Sequence, residues 1–232
     1  MADNLKRIGH MNHCDTVIFA CSSLKGYVSA AQEKEGTCYP VVFLDKENHI
    51  EPRQMKQCIL AAEKELPGTV ETVLIAMGFC GGSLDSVSFS RRFVIPRVDD
   101  CVSLMLQTDQ EYCPNPKETG HLYMIEQNPE EFLFEKMFQD GQGEYEGISQ
   151  EELFHMYFDH YTNLDIVDTG LSDCYSEECA QRAQENADRM HVSLDYVQGS
   201  NLMLEKLVGG RWDRQFLVAE PGHLIRHGDF FE

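Results

Sequence analysis

The chain is poor in basic residues: 19 lysines and arginines stand against 39 aspartates and glutamates, a formal charge of −20 over 232 residues. That balance repels a phosphate backbone and excludes a surface that tracks nucleic acid. The acidic residues are scattered, as in EEFLFEKMFQDGQGEYEGISQEELF, and form no long run, which is the pattern of a solvated surface. Long hydrophobic runs are missing too. The run TVIFAC, Thr16 to Cys21, is too short for a signal-peptide core or a membrane span, and a polar stretch precedes it, so a cytoplasmic protein with no membrane partner is expected. The chain also lacks a P-loop, a G-x-G-x-x-G after a strand and a G-x-S-x-G elbow; GFCGGS has the wrong spacing for the first two. Nothing therefore points to a nucleotide or to a Ser-His-Asp hydrolase.

Cysteine, by contrast, is plentiful. The count of nine is odd and no secretory features accompany it, so reduced thiols, some of them metal ligands, fit better than a disulfide framework. With 42% hydrophobic residues the chain can build a full core. Eight short apolar runs recur: DTVIFACSS, CYPVVFLD, VETVLIAMG, RRFVIPR, HLYMIEQ, NLDIVDTG, VSLDYVQG and RQFLVAEPG. Most are followed by a segment long enough for a helix. Strand then helix, repeated, predicts a three-layer α/β/α fold with a mainly parallel sheet. Met55, Ile59, Leu60 and Leu66 mark one helix; Ala180, Ala183, Ala187 and Met190 mark another. Asn128 before Pro129 reads as a helix start, and Ser149 with Glu152 has capping-box spacing. The turn-rich TDQEYCPNPKETG suggests two lobes of similar size. The expected division is a flexible terminus at 1–15, a first lobe at 16–107, a connection at 108–120 and a second lobe at 121–232.

In parallel α/β sheets the carboxyl ends of the strands open on one edge, and ligands bind there. Cys21 ends the first strand; His49 follows the second; Cys80 follows the third; and Arg97, Asp99, Asp100 and Cys101 follow the fourth. Gly78, Gly81 and Gly82 around Cys80 allow tight or left-handed turns and close approach of a ligand to the main chain. A helix beginning at SLDS would lower the Cys80 pKa and present its thiol as a nucleophile or metal ligand. Soft sulfur and imidazole suit zinc or iron. Arg97 offers a planar fork for a carboxylate or phosphate, and Asp99 or Asp100 a base or an orienting group. Cys58, on a packing helix, reads as a core cysteine. Three weaker clusters are HMNHC at His10 to Cys14, LSDCYSEEC with Cys174, Cys179, Asp168 and Asp173, and the Glu220, Pro221, Gly222 turn after the last strand.

The stretch VLIAMGFCGGSLDSVSFSRRFVIPRVDDCVSLML, together with ACSSL, NHIEP and LVGGRWDRQFLVAEPG, resembles the domain-of-unknown-function family numbered 1638, over roughly residues 16 to 222. That family is found largely in anaerobic bacteria and methanogens. The resemblance implies the same ligand set, Cys21, His49, Cys80 and Cys101. The family pattern has Arg-x-His-Asp-Cys where this chain has Asp99 in the histidine's place, a carboxylate that hardens the site. The resemblance also implies a link to corrinoid-dependent methyl transfer, with a corrinoid or methyltransferase protein as partner, although no Asp-x-His-x-x-Gly cobalt motif is present. The leading expectation is a metal-thiolate protein, iron or zinc, that binds a small molecule, with Cys80, Asp100 and Arg97 as catalytic groups. A non-catalytic metal or methyl-carrier accessory protein and a metal-free enzyme with Cys80 as nucleophile are the alternatives.

Overall fold

All eight apolar runs form strands. The computed structural model describes residues 14–45, 52–125 and 147–232; the expected ligand His49, the histidines of HMNHC and the helix start at Asn128 lie outside them. In chain order the elements are β1 (Thr16–Cys21), α1 (Lys25–Glu35), β2 (Val41–Leu44), α2 (Pro52–Glu65), β3 (Thr72–Ala76), β4 (Val87–Ser88), β5 (Arg92–Pro96) and α3 (Cys101–Met105). They continue with β6 (His121–Met124), α4 (Gln150–Phe158), β7 (Asn163–Asp168), α5 (Glu177–Met190), β8 (Ser193–Gln198), α6 (Leu202–Val208), β9 (Phe216–Ala219), β10 (Leu224–Ile225) and α7 (Gly228–Phe231). The protein is α/β, and its main sheets are mostly parallel.

The chain divides into two compact units, residues 1–116 with 200–232, and residues 117–199. The second lobe was expected to run from 121 to 232; its last part instead rejoins the first unit. The physical reason is edge pairing. In the first unit the sheet order is β2-β1-β3-β5-β9, and β9 closes the open edge of β5 by antiparallel pairing, Phe93 opposite Ala219 and Pro96 opposite Phe216. The β10–β4 ribbon and α6, which packs on α1, β3 and β5, return with it.

The centre of that sheet is β3, whose five residues TVLIA are all buried, as expected for a strand covered on both faces. It pairs in parallel with β1 on one side and β5 on the other. Phe19 and Phe93 meet edge to face at 6.3 Å, both fully buried, each contributing about 1.5–3 kcal/mol through burial. The connection from β1 to β2 runs one way along the sheet, and that from β2 to β3 crosses back over β1. The right-handed rule for such crossovers puts α1 and α2 on opposite faces, which makes this unit three-layered.

The second unit holds the parallel sheet β6-β7-β8. Ser149 accepts the Glu152 amide at 3.2 Å while the Glu152 carboxylate accepts the Ser149 amide, the capping box read from the sequence. Ser176 caps α5, whose Ala183, Ala187 and Met190 are buried. Among the described residues both helices cover one face: Leu122, Leu164 and Ile166 pack with Ala183 and Ala187 under α5, and Leu122 also with Leu153, Phe154 and Phe158 of α4. The other face carries His121, Tyr123 and Asp165. This lobe is therefore two-layered among the described residues, since both crossovers run in the same direction.

Candidate functional site

The order β2-β1-β3-β5 reverses direction between β1 and β3. In a doubly wound sheet that switch point opens a crevice at the carboxyl ends of the strands. Cys21 is the last residue of β1, Cys80 lies four residues after β3, and Cys101 lies five after β5. The structure brings these three thiols together: Cys101 is hydrogen-bonded to both Cys21 and Cys80. Cys21 is fully buried, and Cys80 and Cys101 are each 7% exposed.

Three local features set this meeting. First, the loops after β3 and β5 are zipped by main-chain bonds, Phe79 N–H to Val98 O at 2.9 Å and Cys80 N–H to Asp99 O at 2.7 Å. Second, they touch so closely that only a glycine fits at 78: a Cβ there would lie 2.6 Å from Asp100 Cα. Third, Cys80 itself is left-handed, with φ 46°, and is followed by Gly81 at 63° and Gly82 at 90°. The left-handed region costs a non-glycine residue about 1–2 kcal/mol. A thiol held there against that cost makes Cys80 a candidate functional position.

The expected helix at SLDS does not form. Residues 80–82 make a single 3-10 turn that leads through turns into β4, so Cys80 is buried among the loops and does not stand at the N-terminus of an α-helix. Asp100 accepts the Ser103 amide at 2.7 Å as the cap of α3, and Cys101 opens that short helix. Cys21 Sγ also lies 3.1 Å from Ser23 Oγ. The hydrogen bonds with Cys21 and then Cys80, followed by burial, push the Cys101 thiol well above the ordinary thiol range. In the absence of a cation, Cys101 keeps its proton.

Arg97 was expected to clamp a ligand anion. Its guanidinium instead donates to three main-chain carbonyls, Asp229 O at 2.7 Å from Nε, Arg214 O at 3.1 Å and Glu232 O at 2.9 Å, and stacks 4.3 Å over the Tyr112 ring. Glu220 was a candidate for the cleft as well. Because β9 is antiparallel, Glu220 lands at the opposite edge of the sheet, paired with Arg92 at 3.0 Å beside a surface cavity of about 470 Å³.

Residues 43–208 match the family described as Protein of unknown function (DUF1638). The chain belongs to this family. The part of this DUF1638 protein that matches takes in His49, Cys80, Arg97, Asp100 and Cys101, and begins after Cys21, so it is shorter than the span the sequence motifs suggested. No curated protein and no solved structure matches the chain.

As they stand, no three His, Cys, Asp or Glu groups among the described residues are set to hold a metal ion. The thiols bond one another instead, and closing them round a cation means trading those bonds for metal–sulfur bonds of about 2.3 Å. Pro52 packs against the turn, with its Cγ 3.0 Å from where a Gly81 Cβ would lie.

Cys174 and Cys179 are buried in the second unit, and burial, with Asp168 next, raises the Cys174 pKa. Cys58, expected in the core, is half-buried. Sequence reading missed one polar pair, His121 Nδ1 bound to Asp165 Oδ2 at 2.7 Å, with Asp165 almost fully buried. The signal was available: an aspartate at the centre of NLDIVD, on the face opposite Leu164 and Ile166.

Proposed function

We propose that this protein is a metal-thiolate protein in which Cys21, Cys80 and Cys101 hold one iron or zinc ion at the β1/β3 switch point. His49 is the candidate for a fourth ligand or for a position that a small molecule displaces. One observation carries the reading: three buried thiols, delivered by three adjacent parallel strands, share hydrogen bonds at the place where such sheets bind ligands. Buried cysteines packed for their apolar bulk have no reason to converge on one another, whereas soft ligands gathered from separate loops suit a soft or borderline cation. The left-handed Cys80 supports it further, since main-chain strain is being spent on where that thiol sits.

The cation would supply Lewis acidity and would lower the pKa of a ligand that enters its coordination sphere. The protein's own groups would do the rest. Burial keeps water away, Asp100 fixes the start of the Cys101 helix, and the Cys80 amide is held by Asp99. Three thiolates around a divalent cation leave a net negative charge, and Arg97 is engaged elsewhere, so the small molecule would be neutral or cationic, such as a thiol or a methyl donor. A cytoplasmic, anaerobic setting in one-carbon or corrinoid-linked methyl metabolism suits such thiols, with a corrinoid or methyltransferase protein as partner. The metal-free alternative, with Cys80 as a free nucleophile, is less well supported, because its thiol is buried and its neighbour Cys101 is held protonated.

Elemental analysis of anaerobically purified protein tests the reading. Metal should be present and should be lost in Cys80→Ser; a metal-free wild type refutes it.

A further inference from the structure

The C-terminal segment folds back onto the loops that carry two of the three thiols. Phe230 is fully buried, and its ring lies 4.6 Å from that of Phe79, the residue before Cys80. Phe231 and His227 both stand edge-on to the same ring at 5.7 Å and stack on each other at 4.4 Å. The His227 amide donates to Asp85 at 3.1 Å, which ties the segment to the far side of the Cys80 turn. From the other loop Arg97 holds the carbonyls of Asp229 and Glu232, and the Tyr112 hydroxyl holds that of Phe230. The two residues after Arg97 are Val98 and Asp99, whose carbonyls accept the Phe79 and Cys80 amides.

We propose that residues 227–232 form a clasp that sets Cys80 against Cys101, with Arg97 as the positioning residue that closes it. The short helix α7 touches one loop through aromatic rings and the other through a guanidinium fork, so it fixes the separation of the two loops. This explains why, among the described residues, an arginine beside a ligand-binding edge donates to main-chain carbonyls alone. A lysine cannot replace it, since one ammonium cannot reach three carbonyls in a planar fan.

The inference rests on the metal-thiolate reading in one arm of its test only. The variants are Arg97→Gln, Arg97→Lys and Phe230→Ala. Arg91→Gln is the control, because Arg91 likewise donates to the carbonyls of Leu66, Pro67 and Val70, and it does so at the amino edge of the sheet. Two readouts are taken on the full chain: Co²⁺ affinity from the thiolate-to-cobalt absorption, and the rate at which iodoacetamide alkylates Cys80 in metal-free protein, located by peptide mass. All three clasp variants should weaken Co²⁺ binding by about tenfold or more and expose Cys80 to alkylation by a similar factor. Arg91→Gln should change neither, even where it lowers the melting temperature as much. Clasp variants that behave like Arg91→Gln in the alkylation assay overturn the proposal. A wild type that takes up no Co²⁺ refutes the metal reading instead, and the alkylation rates still decide the clasp.

Discussion

Replacing Gly78 by alanine probes the contact on which the candidate site depends. The new Cβ would sit 2.6, 2.7 and 2.8 Å from the Cα, N and C atoms of Asp100, all main chain. Carbon atoms in contact prefer about 3.5–4.0 Å, so the β5 loop must retreat by about 1 Å. Such a shift carries Asp99 O out of reach of the Cys80 amide, now 2.7 Å away. Overpacking alone costs about 1–3 kcal/mol, and an orphaned buried amide costs about 1–3 kcal/mol. The two overlap, since the retreat that relieves the first causes the second. Against them, alanine restricts the unfolded chain and returns about 0.4–1 kcal/mol. The strain wins, and the net loss should be about 2–3 kcal/mol. Native-state amide exchange of β3 and β5 in metal-free protein measures it without assuming that both units unfold together. A variant within about 0.5 kcal/mol of wild type would show that the loops are not held in this contact.

Two further outcomes follow from the thiols. Because the Cys101 pKa is raised in the folded state, its contribution to stability is fully present below the ordinary thiol value of 9.0 and is lost as pH rises through the folded value. Metal-free wild type should therefore lose up to about 1.4 kcal/mol per pH unit above pH 9 relative to Cys101→Ser; parallel urea-midpoint curves for the two proteins between pH 8 and 10.5 would count against the buried cluster. Since Cys80 has φ 46°, Cys80→Gly should be more stable than Cys80→Ala by about 1 kcal/mol in metal-free protein, read from urea unfolding; equal stabilities would mean the turn is not strained.

Much of the first unit was legible because continuous β-branched runs such as TVLIA have few other uses, and because the residues after them fall on one edge whatever the strand order. The meeting of Cys21 with Cys80 needed β1 and β3 to be neighbours, which the pattern of runs does not specify and the pairing supplies. Arg97 was misjudged for a definite reason: its partners are main-chain carbonyls of residues 214, 229 and 232, which carry no side-chain signal. The domain boundary moved because RQFLVAEPG has the same apolar pattern whether it extends one sheet or closes another. The glycines around Cys80 were read as freedom for a turn; at Gly78 the operative constraint is the Asp100 main chain, which lies 22 residues away in sequence.

The most direct test of the central claim is the metal content of protein purified without oxygen, beside Cys21→Ser, Cys80→Ser, Cys101→Ser and the half-buried control Cys58→Ser. Wild type and the control should each carry about one equivalent of iron or zinc, and each of the other three should lose it. Absence of metal from wild type, or its retention in all three site variants, would contradict the account.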